Sequence, residues 1–184
     1  MKRRSEAGFT YIEVLIAVVI LMVGVLAMVA AISAAVLQSR GQDQQLTARH
    51  IAASTMESIM SVKETDPVRL GWKAVGNIGS NPDPSDGNTP KGIFVVGRHE
   101  VRANAGPDEV IGTADDNGDV IQGYQREIRI IDQCDLDRPS ANCPTPGDSP
   151  VKIRLIEVRI FFFVGTAERT ELVRTVLTDY STTE

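Results

Sequence analysis

Three groups of residues in this 184-residue chain have types and spacings that could carry chemistry. The first is Glu13, a carboxylate at the entry to a long apolar run, with Gly8 and Phe9 just ahead of it. By analogy with measured charged residues, an uncompensated acid at the centre of a membrane helix costs on the order of 2.5–3.5 kcal/mol. Such an acid is tolerated when a cation meets it. Hydrolysis of the bond between Gly8 and Phe9 would supply one, the α-amino group of Phe9, one helical turn from Glu13. In helices packed side by side, the acid of one would reach the amine of its neighbour. Only the stagger that pairs those charges would escape the penalty, so the pair would set register.

The second group is Gly112-Thr113-Ala114-Asp115-Asp116-Asn117-Gly118-Asp119, dense in oxygen donors. Calcium takes about six to eight oxygens, and Asp115, Asp116, Asn117 and Asp119 are its candidate ligands. The stretch lacks the ligand spacing and terminal Glu of an EF-hand. The plainer reading, and the favoured one, is an Asp-Asn-Gly turn joining two strands. The third group is Cys134 and Cys143, which bracket a Pro- and Asp-rich loop over 135–142. Two cysteines without a nearby histidine argue against zinc, and the C-x-x-C spacing of a redox pair is missing. A structural disulfide in an oxidising compartment is expected, stabilising the fold by about 2–3 kcal/mol on the chain-entropy model.

Little points to an enzyme. The chain has no G-x-S-x-G, H-E-x-x-H or P-loop motif, and His50 and His99 fall in different elements with no nucleophile beside them. A net charge of −5 and the lack of a basic patch with interleaved aromatics set nucleic acid aside as a partner.

The elements that must position these residues begin with the apolar run. Val14 to Ser39 is free of charged residues and, as a helix, is roughly 40 Å long, enough to cross a hydrocarbon core of about 30 Å. Lys2, Arg3 and Arg4 precede it, which keeps the N-terminus in the cytoplasm and sends the rest across. Gly24 would weaken a helix in water but permits close helix approach in a membrane. A cleavable signal peptide is one alternative, with Ala31-Ile32-Ser33 resembling a cleavage site. The run exceeds the usual ~7–15 residues of a signal core, however. A plain anchor is another alternative, and it leaves Glu13 unexplained.

Gly8-Phe9-Thr10-Tyr11-Ile12-Glu13-Val14-Leu15-Ile16-Ala17 resembles the N-terminal signature of type IV pilins and type II secretion pseudopilins, usually written GFTLIEV. Tyr11 replaces the common Leu and leaves the cleavage and acid positions intact. The resemblance is strong over residues 1–40 and looser beyond. It implies that a prepilin peptidase cuts after Gly8 and methylates the amine of Phe9, and that Glu13 is the assembly acid. Losing Lys2, Arg3, Arg4 and Glu6 would take the side-chain charge from −5 to −7. The acidic stretch at 112–119 also loosely resembles the calcium loop of major pseudopilins.

Beyond Arg40 the helical pattern continues. Leu46, Ala53, Met56 and Met60 form one expected core stripe, and Ile51, Thr55 and Ile59 an adjoining one. Pro67 ends the helix, with Asp66 already biased away from helical geometry. Asn77–Lys91 reads as an exposed loop. Strands are expected at Ile93–Val101, at Tyr124–Ile131 with Ile128 and Ile130 on one face, at Val151–Val164 and at Thr170–Tyr180. In Val151–Val164 the apolar alternation changes phase at Leu155–Ile156, which predicts a β-bulge there. Gly165-Thr166-Ala167 then makes a hairpin turn.

The expected fold is α+β: a long N-terminal spine helix, half membrane and half amphipathic, packed on an antiparallel sheet, as the pilin resemblance also implies. The expected organisation is a leader over 1–8, a transmembrane and assembly helix over 9–39, an amphipathic helix over 40–65, and a periplasmic sheet head over 66–184. The general form of Gln44–Met60, Phe161–Val164 and Val173–Tyr180 resembles minor pilins of the pilus-modification (PilV-like) type, which act in a low-copy complex that primes fibre growth. The runner-up is a minor pseudopilin of type II secretion. A reading of another class is a signal-peptide-bearing exported calcium-binding protein. Expected partners are other pilins or pseudopilins, prepilin peptidase and the inner membrane.

Overall fold

Thr10 begins the helix by capping it. The Glu13 amide donates to the Thr10 carbonyl at 3.1 Å and faces the Thr10 hydroxyl at 3.4 Å, the start of a Thr-x-x-Glu capping box. Glu13 itself sits in the first turn, where the helix dipole favours an acid. Helix α1 then runs without a break over Tyr11–Thr65, with no proline inside it. The structure is a computed structural model that describes residues 8, 10–65, 71–79, 82–83 and 89–180. The expected helix end at Asp66 and Pro67 lies outside those residues.

The chain divides into two compact units, 1–42 and 43–184. In the first, every residue from 11 to 40 is exposed within the chain. The second holds the remainder of α1, a short helix α2 (Gly71–Ala74), a small ladder of β1 (Pro82–Asp83) with β2 (Thr89–Pro90), and four longer strands. These are β3 (Arg98–Asn104), β4 (Asn117–Gln133), β5 (Ile153–Val164) and β6 (Ala167–Thr178), in the order β3-β4-β5-β6 and antiparallel throughout. The helix from Asp43 on packs against this sheet, an α+β, pilin-like arrangement.

The core joins Ala48, Ala52, Met56, Ile59 and Val62 of α1 to Ile128 and Ile130 of β4 and to Ile156, Val158, Ile160 and Phe162 of β5. Spacings of four and three keep those helix residues on one face. This corrects the expected stripe. Ile59 and Thr55 are fully buried, but Leu46 is 62% exposed and Met60 47%, and Ala53 is exposed too. The small Ala48 and Ala52 face the sheet instead and let it approach the helix closely.

A second correction concerns β5. Its register with β4 and with β6 continues through Leu155 and Ile156, so no bulge is present. The pattern changes phase because Arg154 faces inward. Its guanidinium meets Asp132 at 3.0 Å, the carbonyls of Trp72 and Val75 at 2.6 and 2.7 Å, and the Trp72 ring at 4.6 Å. Arg154, Ile156, Val158, Ile160 and Phe162 therefore share the core face, and Leu155 lies on the other.

Third, the strand expected at Ile93–Val101 begins only at Arg98. Phe94 bridges to Asn77, and the Val95 amide bonds the Gly112 carbonyl, so 93–97 is drawn away from β4. Where β3 leaves β4 beyond Glu127, Asn77 takes over, accepting from the Ile130 amide and donating to the Ile128 carbonyl. Asn77 is thus a buried strut and not the start of an exposed loop; 80–81 and 84–88 of that segment lie outside the described residues.

These packing roles predict a clear contrast. Ile59→Ala should destabilise the second unit by about 2–5 kcal/mol in a denaturant titration, whereas Leu46→Ala should change it by less than about 0.5 kcal/mol.

Candidate functional site

Gly8 is exposed, and a Cβ built on it would meet nothing within 4 Å. The same is true of Gly24 within the helix. Among the described residues, neither glycine is required by a close contact. In water a mid-helix glycine costs about 1 kcal/mol relative to alanine. Glu13 borders an open groove with Val14, Ala17, Val18 and Leu21, an acid at the head of an apolar furrow. The helix is long and apolar enough to cross a membrane. The leader over 1–7 and the expected new terminus at Phe9 lie outside the described residues. What is described is one side of the expected charge pair, Glu13 in the first turn, with Thr10 holding that turn in place. The capping role of Thr10 was open to sequence reasoning through its Thr-x-x-Glu spacing.

The acidic stretch divides between two elements. Asn117 and Asp119 belong to the first residues of β4, with Asn117 paired to Asn104. Asn117-Gly118 is therefore not a two-residue hairpin turn; the connection is the whole loop 105–116. Side chains bonding to backbone amides build that loop. Asp108 accepts from Val110, Asp115 from Asp108, Asp116 from Gly112, and Ser58 of α1 accepts from Ile111. Gly112 has a left-handed φ of 102°, and a Cβ there would lie 2.3 Å from Ile128 Cδ1, so only glycine fits.

Asp115 and Asp116 have separate partners. The Thr113 hydroxyl donates to Asp115 at 2.6 Å and holds its carboxyl below the usual range. Asp116 pairs with the buried Arg126 at 2.5 Å. Burial pulls the Arg126 guanidinium down from its ordinary range, and Asp116 pulls it back up. Among the described residues no group of three or more His, Cys, Asp or Glu side chains is placed to hold a metal. Arg126 was missed in the sequence because an isolated arginine in a polar strand looks like a surface residue.

Cys134 and Cys143 form a disulfide. Its loop reaches the end of β6: the Tyr180 hydroxyl donates to Asp135, and the Arg138 guanidinium lies 5.3 Å from the Tyr180 ring centre. The contact pushes the Tyr180 phenol up, and it holds the Asp135 carboxyl down. His99 is exposed and bonds the Val96 carbonyl, and His50 is exposed on α1.

Residues 3–36 match the family described as Prokaryotic N-terminal methylation motif. No curated protein and no solved structure matches this chain. The matched segment holds Gly8, Phe9 and Glu13, so the motif supports a type IV pilin or pseudopilin. It implies in general an interaction with other pilins and with prepilin peptidase, and it is consistent with membrane anchoring.

The Asp135–Tyr180 contact has a testable pH signature. It favours the ionised carboxyl and the protonated phenol. Its stabilisation is present between their ordinary values, about 3.9 and about 10. It is lost as pH falls through the lowered Asp135 value or rises through the raised Tyr180 value. Alkaline spectrophotometric titration should show a phenol ionising above the ordinary tyrosine range, and Asp135→Asn should return it there.

Proposed function

We propose that the chain is a type IV pilus minor pilin of the PilV-like type, which assembles through its N-terminal helix and helps prime or modify fibre growth. The observation that supports the pilin-type part of this reading is that Gly8 and Phe9 stand in the sequence just ahead of a capped, unbroken helix whose first turn holds Glu13; the PilV-like part rests on the general form of the segments named in the sequence analysis. Prepilin peptidase would hydrolyse the bond after Gly8, leaving a carboxylate on the leader and an amine on Phe9, which is then methylated. Glu13 would meet the corresponding amine of a neighbouring subunit. Open space around Gly8 supports a requirement set by the peptidase and not by the fold. The head from Asp43 on would face the periplasm. The runner-up is a minor pseudopilin of type II secretion, which uses the same physics. Co-purification with pilus or with secretion components separates the two.

Mature protein from membranes should begin at N-methylated Phe9. Gly8→Val should leave the leader attached. Glu13→Gln should be inserted and cleaved but recovered poorly with partner pilins. Normal recovery would remove the pairing role, and a start near Ala34 would restore the signal-peptide reading.

For the acidic loop we propose that Arg126 supplies internally the positive charge that calcium would bring. The melting temperature should then be equal in calcium and in a chelator. A rise with calcium would overturn this and make Asp115, Asp116, Asn117 and Asp119 ligand candidates again.

A further inference from the structure

A cavity of about 520 Å³ lies among β3, the stretch that precedes it, the loop 105–116 and β4. Small-molecule sites commonly enclose about 300–1,000 Å³. Its floor is buried and its rim is open: Thr113, Arg126 and Ile128 are buried, whereas His99, Glu100 and Arg102 are exposed. All of these residues belong to the second unit.

The charge on the floor is only partly met. Arg126 is 5% exposed. Among the described residues its side-chain acceptors are Asp116, 2.5 Å from Nη2, and the Thr55 hydroxyl, 3.5 Å from Nη1. A guanidinium has five N–H donors, so three are left without an acceptor. Asp116 is not free to turn toward them, because the Gly112 amide holds its oxygens at 3.1 and 3.0 Å. Burial lowers the Arg126 guanidinium in spite of Asp116, as befits a buried cation whose partners fall short. Buried donors ordinarily have partners, so a ligand that enters this cavity gains most by bringing acceptors to its floor.

The charges of the rim narrow the choice. A cation would be repelled by the floor. Arg98 is held by Glu168, but Arg102 reaches only the Gly118 carbonyl, at 3.2 Å, and has no carboxylate among the described residues. Glu100 opposes an anion, but from an exposed position where water and salt screen it. A planar carboxylate matches the fork of a guanidinium and takes two parallel hydrogen bonds from it. A dianion such as phosphate would meet Asp116 and Glu100 with twice the charge.

We propose that this cavity binds a carboxylate group, carried by a small organic acid or by the C-terminus of a peptide, with Arg126 as its floor contact and Arg102 as its rim contact. The site lies wholly in the second unit and does not depend on the pilin-type reading.

Full-length protein in detergent would be titrated calorimetrically, at one ionic strength, with three probes: butyrate, N-acetylglycylglycine, which ends as a peptide chain does, and the uncharged butyramide. Saturable binding of one carboxylate per chain is expected, and no binding of butyramide. Butyrate bound as tightly as the peptide-like probe, or more tightly, assigns a small acid. The peptide-like probe bound at least tenfold more tightly assigns a chain terminus. Arg102→Gln leaves the floor intact and should weaken binding about tenfold, the loss of one charge-assisted hydrogen bond. Glu100→Gln should tighten it. Arg126→Lys keeps the charge but loses the fork, and should weaken binding further; where that variant does not fold, Arg102→Gln decides. No saturable binding of either carboxylate would overturn the proposal. So would equal binding of butyramide, an affinity unchanged by Arg102→Gln, or displacement of both carboxylates by inorganic phosphate.

Discussion

An apolar helix that its own chain leaves uncovered is the constraint behind everything else. Residues 11–40 are exposed, and most are Val, Leu, Ile, Met or Ala. Burying one large aliphatic side chain is worth about 1.5–3 kcal/mol, so the surface left open here exceeds the net stability of an ordinary domain, about 5–15 kcal/mol. Such a helix must lie in lipid or among other helices. Either setting makes Glu13 costly unless a cation reaches it, and the described part of the chain offers none in its first turn. The demand for a partner is therefore physical before it is biological.

The second unit obeys the same rule with its own resources. Its buried charges each have an opposite charge at hand: Arg126 with Asp116, Arg154 with Asp132, and Glu157 between Arg159 and Arg174. Removing one member of a buried pair costs about 3–5 kcal/mol, because the other is left uncompensated. These pairs also direct the chain. Arg154 ties β5 to the carbonyls at the end of α2, and Arg126 ties the 105–116 loop to β4 and, through Thr55, to α1. Glu157 instead lies on the outer sheet face, where neighbouring arginines cover it.

Those pairs also explain what could be read in the sequence and what could not. The helix was legible from Val14–Ser39, because roughly 40 Å of apolar helix, enough to cross a hydrocarbon core of about 30 Å, has few other uses. So was the alternation that puts Ile128 and Ile130 on one face of β4. Legibility failed where a polar residue plays an apolar part or an apolar one does not. Arg154 is buried and Leu155 is not, which imitates a bulge. Ala48 and Ala52 are buried while Leu46 is exposed, since the sheet selects small residues where it crosses the helix closely. Asn117-Gly118 has a hairpin signal, but the bonds of Asp108, Asp115 and Asp116 lengthen the connection and move those two residues into the strand. Each failure comes from a tertiary contact that no local window contains.

Glycine separates the two kinds of requirement most sharply. At Gly112 the reason is inside the molecule: a left-handed backbone pressed against Ile128. At Gly106 it is again internal, with the Asp115 backbone 2.4 Å from where a Cβ would stand. At Gly8 and Gly24 no such contact is found among the described residues, and both lie in the segment 3–36 that matches the methylation motif. A helix interior in water ordinarily selects against glycine, whereas in a membrane a glycine permits the close approach of another helix. On the proposed reading, Gly8 answers to the peptidase that would cut the bond after it. On that reading the N-terminal segment answers to surfaces of other molecules, whereas Gly106 and Gly112 answer to contacts within the head.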